Sequence, residues 1–339
     1  MDYTLLLIVV LLVVIGLVIL YSTSAYNGQV KFHDSFYYLK KQAFATVLGI
    51  VLMLFVAGMD YHIWQRLAVF GYLAAVALSV AVMLFGREIN GSKRWLALGP
   101  FSFQPSEFAK VALILFLADL VTKNVKTIGK MWTLCRIMFW ILPIVGLVGA
   151  SNLSTAIIIL GIGVILIFVA SPKYAQFALM GIAGACFMGI FLALESYRLE
   201  RLAVWKNPEA YEKGYQTLQG LYAIGSGGLF GRGLGQSIQK LGFVPEAQND
   251  MIFSVVGEEL GFIGCITALL LIVLITVRII YVGKKSSEQS TNLICTGMAA
   301  MIIGQMIINV GMCLMLLPVI GITLPFFSAG GSSNLCVYL

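Results

Sequence analysis

Residues 251–280 read MIFSVVGEELGFIGCITALLLIVLITVRII. From Phe262 to Val277 no side chain carries a charge. A spanning helix needs about 20 mostly apolar residues, because each adds only about 1.5 Å along the axis. This stretch is long enough, and it is apolar on every side rather than along one stripe, which is the pattern of a helix surrounded by apolar material. It therefore reads as a membrane span. Its head is less simple. Glu258 and Glu259 lie just inside it, and Glu246 and Asp250 lie just before it. A charge at the centre of a spanning helix costs about 2.5–3.5 kcal/mol on insertion scales. These acids need partners or a polar cavity.

Working outward, similar apolar segments fall near 4–22, 42–58, 64–85, 106–121, 132–150, 153–170, 175–194, 292–317 and 329–339. With 251–280 they make about ten candidate spans. The expected fold is all-α: a polytopic integral membrane protein, read as one transmembrane domain over 1–339. The last segment is too short to cross a bilayer and is expected to be a helix cut short. The first lacks a basic leader and is expected to be a retained helix, not a signal peptide. Composition agrees with this class. The 339 residues are 60% hydrophobic and 11% charged, against about 25% charged in soluble domains. Mean hydropathy is +0.96.

The net charge of +7 is read as contact with anionic headgroups. No basic stripe with interleaved aromatics points to nucleic acid. The six cysteines lie in or beside apolar runs and never at C-x-x-C spacing, so neither a zinc site nor a disulfide framework is implied. Lys and Arg in the short loops weakly favour an inside N-terminus, although the long connection 195–249 reverses the tally if it is counted. With that orientation, the two loops richest in Gly, Pro, Lys and Arg, 86–106 and 195–249, share the outer face.

Two glycine-rich stretches are decoys. In GREINGSK (86–93), Ser92 precedes Lys93, the wrong order for a phosphate loop, and no strand is expected before it. GSGGLFGRGLGQS (225–237) opens no strand–helix unit, which excludes a dinucleotide site. It is expected to be a flexible, close-packed outer segment.

The residues that carry chemistry sit in two places. In QPSEFAK (104–110), Pro105 suits the first turn of a helix, and Glu107 and Lys110 share a face at i, i+3. They form either a structural pair or the wall of a cavity for an anionic substrate. In the second place, Asp250 is expected near the start of the eighth spanning helix, where Asn249 and Asp250 are both good capping types. Asp250, Ser254 and Glu258 would line one face. The reading is a polar cavity open to the outside with carboxylates in its wall.

Four motifs now occur in order: GSKRWLALGPFSFQPSEFAK (91–110), YRLERL (197–202), VPEAQNDMIFSVVGEELGFIG (244–264) and GITLPFFSAGGSS (321–333). Together they closely resemble the SEDS (shape, elongation, division and sporulation) family, which includes RodA, FtsW and SpoVE. The resemblance spans nearly the whole chain. It implies a ten-helix enzyme of the bacterial plasma membrane, active on the outer face, that polymerises lipid II into glycan strands. It implies a class B penicillin-binding protein as partner, with other divisome or elongasome membrane proteins. The family's essential aspartate falls on Asp250, and its functional Glu and Lys of the fourth helix fall on Glu107 and Lys110. The substrate-binding set is then Lys93, Arg94, Glu107, Lys110, Arg198, Arg201, Glu258 and Ser328. A divalent cation, Mg²⁺ or Mn²⁺, is compatible with pyrophosphate chemistry. The chain departs from many relatives at Asn152, where they carry an aspartate. PEAQND and LPFFSAGGSS lean toward the division-type member. The rival reading is a lipid II flippase or transporter without glycosyl transfer.

Overall fold

The computed structural model describes residues 2–89, 92–98, 101–171, 173, 175–193 and 196–338. Helices stand at each of the ten apolar segments. They are α1 (Tyr3–Phe32), α2 (Tyr37–Ala57), α3 (Tyr61–Phe85), α4 (Pro105–Lys123), α5 (Met131–Ser151), α6 (Leu153–Ala170) and α7 (Ala175–Ala193); two further helices, α8 (Ser196–Lys206) and α9 (Tyr215–Gly227), occupy the long connection; then come α10 (Ile252–Lys285), α11 (Gln289–Cys313) and α12 (Gly331–Tyr338).

Among the described residues, seven helices are long and apolar enough to cross a membrane: α1, α2, α3, α5, α6, α10 and α11. The expected count was ten. α4 is long enough but carries Glu107, Lys110, Asp119 and Lys123. α12 is only eight residues long, and several side chains of α7 lie outside the described set. The spanning helices keep large apolar side chains exposed. On α1, Leu7, Leu11 and Val14 face outward while Ile8, Leu12 and Val13 are buried. Apolar residues on both faces of one helix are what a lipid surround permits. The chain is a multi-pass membrane protein.

Helix ends follow local chemistry. The Asp2 carboxylate accepts from Leu5 N at 2.9 Å at the head of α1, and Asp60 accepts from His62 N at 3.0 Å at the head of α3. Pro105 starts α4, where its missing N–H is no loss. Asn152 caps α6 by accepting from Thr155 N at 3.3 Å. An amide oxygen serves as such a cap as well as a carboxylate does.

One difference from the sequence reading is a small antiparallel sheet in the loop after α3. Its strands are β1 (Arg87–Ile89), β2 (Ser92–Leu98) and β3 (Phe101–Phe103), in the order β1-β2-β3. Stretches rich in Gly and Pro can pair as short hairpins as well as form open loops. The helix α3, not a strand, precedes Gly86, and the phosphate-loop order is still wrong.

The chain divides into two compact units. Residues 1–54, 195–276 and 305–339 form one. In it, α1 meets the segment before α12 so closely that a Cβ at Gly16 would lie 2.2 Å from the Phe326 carbonyl oxygen. The other comprises residues 55–194 and 277–304. There α3 packs along α4, α5 along α6, and α4 along α6. Tyr72 stacks on Phe116 with centroids 4.5 Å apart and donates to the Trp140 carbonyl at 2.7 Å. Ala109, Leu113, Leu117, Ile144 and Ile159 are fully buried beneath them.

Candidate active site

Asp250 lies in the turn before α10, one residue ahead of the position that would cap the helix. The expected cap is therefore not its geometry. Its backbone is held instead. The Asn309 side-chain amide donates to the Asp250 carbonyl at 2.8 Å and to the Ile322 carbonyl at 2.6 Å. One turn along α11, the Cys313 thiol lies 3.6 Å from the same Asp250 oxygen. Asn309 is fully buried, so α11 clamps the Asp250 turn and the segment after α11 together.

The Asp250 residue is half-buried, but its Oδ1 is enclosed and has no hydrogen-bond partner. Burial pushes the carboxyl up to about 7, and the nearby Glu246 charge adds to the rise; Arg201 and the amides of Asp250 and Met251 oppose it. A buried carboxylate loses hydration that its proton-bound form does not need, which is why desolvation dominates. Glu246 itself sits at a positive φ of 54°, uncommon for a residue with a side chain.

Other predicted residues surround this turn within the same unit. Arg201, on α8, donates to the Val319 carbonyl at 3.0 Å. Trp205, one turn further, donates to the Met315 carbonyl at 2.9 Å. Ser328 is buried, and its hydroxyl accepts from Leu324 N at 2.8 Å. Its neighbour Ala329 donates to the Gln248 carbonyl at 2.8 Å, which ties the 321–333 motif to the strand of chain leading into Asp250. Arg198 is on the same helix as Arg201, but its side chain lies outside the described residues.

Glu258 and Glu259 have partners rather than open space. Glu258 is fully buried and accepts from Ser237 Oγ, from Ile238 N at 3.1 Å and from Gln239 N at 3.2 Å, with Arg232 Nη1 at 3.4 Å. Glu259 accepts from Ser22 Oγ at 2.7–2.8 Å and from Lys240 Nζ at 2.6 Å. The desolvation penalty of both acids is thus answered by charge-assisted bonds from residues 232–240 and α1.

In the second unit, Lys110 is 1% exposed and its ammonium reaches both Glu107 oxygens at 3.0 and 2.9 Å. Arg94, on β2, donates from Nε to the Ser151 carbonyl at 3.1 Å. It shares with Ser106, Ser151 and Asn152 a recess with room for about one water. Lys93, next in the strand, is exposed.

The sequence reading did not single out Asn309, Lys240, Ser22 or Ser237. Asn309 had a signal: with Gln305 it forms an i, i+4 polar pair in the otherwise apolar stretch 297–313. Among the described residues no three of His, Cys, Asp and Glu lie together as a protein-only metal site.

The FtsW/RodA/SpoVE profile, described as a cell cycle protein, matches residues 3–339. The chain belongs to this family. The SEDS chain is 38% identical to stage V sporulation protein E of Bacillus subtilis (strain 168), over 98% of this chain and 92% of that protein. It is 37% identical to a probable peptidoglycan glycosyltransferase FtsW of Moranella endobia, over 98% and 90%. Among solved structures it is similar to a chain of a peptidoglycan synthase complex that coordinates polymerization and crosslinking, with a TM-score of 0.82 and 30% identity over 99% and 94%. It is also similar to the rod shape determining protein RodA of Thermus thermophilus, with a TM-score of 0.74 and 29% identity over 99% and 93%.

Proposed function

We propose that this SEDS protein is a peptidoglycan glycosyltransferase that polymerises lipid II on the outer face of the bacterial plasma membrane. The observation that carries this reading is Asp250: a carboxyl with an enclosed, unclaimed oxygen, raised to about 7, held by its backbone rather than spent on a cap. A base poised near the working pH is what proton abstraction from a sugar hydroxyl requires. The family membership and the names of the relatives support the same class of reaction.

Lipid II carries its disaccharide on an α-linked pyrophosphate, and the glycan product is β-1,4-linked, so a single displacement inverts the anomeric carbon. Asp250 takes the proton of the acceptor 4-hydroxyl. The acceptor oxygen then bonds to the donor's anomeric carbon as the carbon–oxygen bond to pyrophosphate breaks, and undecaprenyl pyrophosphate leaves with the electron pair. Arg201, whose charge already acts on Asp250, is the residue we assign to that leaving group. Arg suits paired contacts with phosphate oxygens. Lys93, Arg94, Lys110 and Arg198 are the further cations of the substrate set. Holding two lipid-tethered sugars in line lowers the barrier by several kcal/mol.

A Mg²⁺ or Mn²⁺ ion would add positive charge at the pyrophosphate. Such ions bind through one or two carboxylates plus substrate phosphates; Glu246, whose charge acts on Asp250, would supply the carboxylate and leave Asp250 free to take the proton. A class B penicillin-binding protein is the proposed partner, cross-linking the strands, within a divisome or elongasome assembly. The similarity to a chain of a peptidoglycan synthase complex supports it.

The test is purified protein in liposomes with lipid II and no other glycosyltransferase. Glycan polymer is expected. Lipid II moved between leaflets without polymer would make the chain a carrier. Neither movement nor polymer would make it a scaffold.

A further inference from the structure

Residues 228–243 form an irregular segment between α9 and α10. A loop facing water turns its charges out and its apolar side chains in. This one does the reverse. Leu229, Phe230, Leu234, Ile238, Leu241 and Phe243 are all exposed, Phe230 at 79%. Of the segment's two charged side chains, Lys240 is buried against Glu259 of α10, and Arg232, 37% exposed, reaches back to Glu258.

The backbone of the segment is joined to the broken turn of α10. Gly261 has φ 68° and ψ −166°, which interrupts the helical ladder. The amides of Phe262 and Ile263, which have lost their helical partners, donate to the carbonyls of Gly228 and Leu229 at 2.9 and 3.2 Å. The carbonyls of Glu258 and Glu259 accept from Arg232 N and Gly233 N, each at 2.9 Å. The two backbones approach so closely that a Cβ at Gly231 would lie 2.2 Å from the Glu259 carbonyl. Non-helical backbone is tolerated at membrane depth only where such bonds are made inside the protein. Here they are made. Beside them, Phe262 and Ile263 are 60% and 51% exposed on a spanning helix, so the apolar face of the segment continues the lipid-facing side of α10.

We propose that residues 228–243 are a re-entrant membrane segment: an inside-out loop whose apolar face sits among lipid acyl chains, pinned to α10 by Glu258 and Glu259. The occupant of this face is the bilayer. The segment leads directly into the Asp250 turn, so lipid holds the approach to that carboxylate at the depth where a lipid-linked substrate presents its headgroup. The inference rests on the membrane assignment and not on glycosyl transfer, so its failure leaves the proposed reaction standing.

The test is site-directed spin labelling of the full-length protein in phospholipid vesicles, with the exposed Cys135 and Cys186 replaced by serine. Labels are placed singly by Phe230→Cys, Leu234→Cys and Leu241→Cys. References are Phe262→Cys on the lipid-facing helix and Glu209→Cys on an exposed 3-10 turn. At the three test sites, collision with oxygen relative to a water-soluble nickel chelate is expected to match Phe262→Cys and exceed Glu209→Cys several-fold. Ratios matching Glu209→Cys would put the segment in water and overturn the proposal. Labels shielded from both reagents would put it against a second copy of the chain and also overturn it. These positions are exposed, so the variants do not disturb packing; thermal unfolding of each variant checks that.

Discussion

At the scale of single residues, the site turns on how Asp250 is held. Its carboxyl is raised to about 7 chiefly by burial, and a general base works only when ionised. The rate of glycan formation should therefore fall as pH drops through about 7, to about a tenth of its plateau at pH 6. A pH–rate profile under single-turnover conditions measures this; a flat profile between pH 5 and 7 would contradict it. Stability has its own sign. A carboxyl whose folded-state value exceeds its ordinary 3.8 binds more protons folded than unfolded across that window, so stability declines as pH rises through it. Asp250→Asn should unfold at a higher temperature than wild type at pH 8, by a margin that shrinks toward acid. Asn309 holds the same residue through its backbone carbonyl. Asn309→Leu leaves the Asp250 and Ile322 carbonyls without their amide, about 1–3 kcal/mol each if nothing replaces it. It should lower kcat about ten- to a hundredfold and move the acid limb down as Asp250 gains water. A stability loss with an unmoved limb would reduce Asn309 to packing alone. Asp250 was legible in the sequence because an acid before a span demands a reason. Its place at the helix head was not, since Asn-Asp before a helix reads as a cap, and the structure sets Asp250 one residue ahead of that position.

At the scale of elements, buried ion pairs fasten helices to what lies beside them. Removing one partner of such a pair costs about 3–5 kcal/mol, because the remaining charge stays buried. Lys240→Met should lower the unfolding temperature sharply, while Lys240→Met with Glu259→Gln should recover most of the loss. Additive losses in that cycle would show the 2.6 Å pair to be uncoupled. The same design separates the two readings of Glu107 and Lys110. If the pair only joins turns of α4, the double variant Glu107→Gln/Lys110→Met should restore both stability and polymerisation. If Lys110 meets substrate, stability returns and polymerisation stays low, with KM raised. The substrate reading predicts the second outcome. Helices stand at all ten apolar segments, and among the described residues seven of them are long and apolar enough to span. The hairpins at 87–103 and the docking of residues 228–243 were not legible in the sequence. Both depend on backbone pairing between distant or glycine-rich stretches, which leaves little trace in composition or periodicity.

At the scale of the whole molecule, the sequence carried the class and the family, because apolar length and four ordered motifs extend over nearly the entire chain. It did not carry the division into two compact units, which draws residues 195–276 together with both termini; contacts at such sequence separations have no local signature. Division-type or elongation-type work is set by the partner and the place in the cell. A tagged copy is expected at midcell, in keeping with the division-type lean of its motifs. The proposed reaction depends on one group doing chemistry rather than holding the fold. The measurement is glycan polymer formed from lipid II by purified wild type and Asp250→Asn, side by side in the same liposomes, with insertion and partner binding checked in both. Polymer from wild type and none from a folded, partner-binding Asp250→Asn is the predicted result; polymer from Asp250→Asn at the wild-type rate would contradict it.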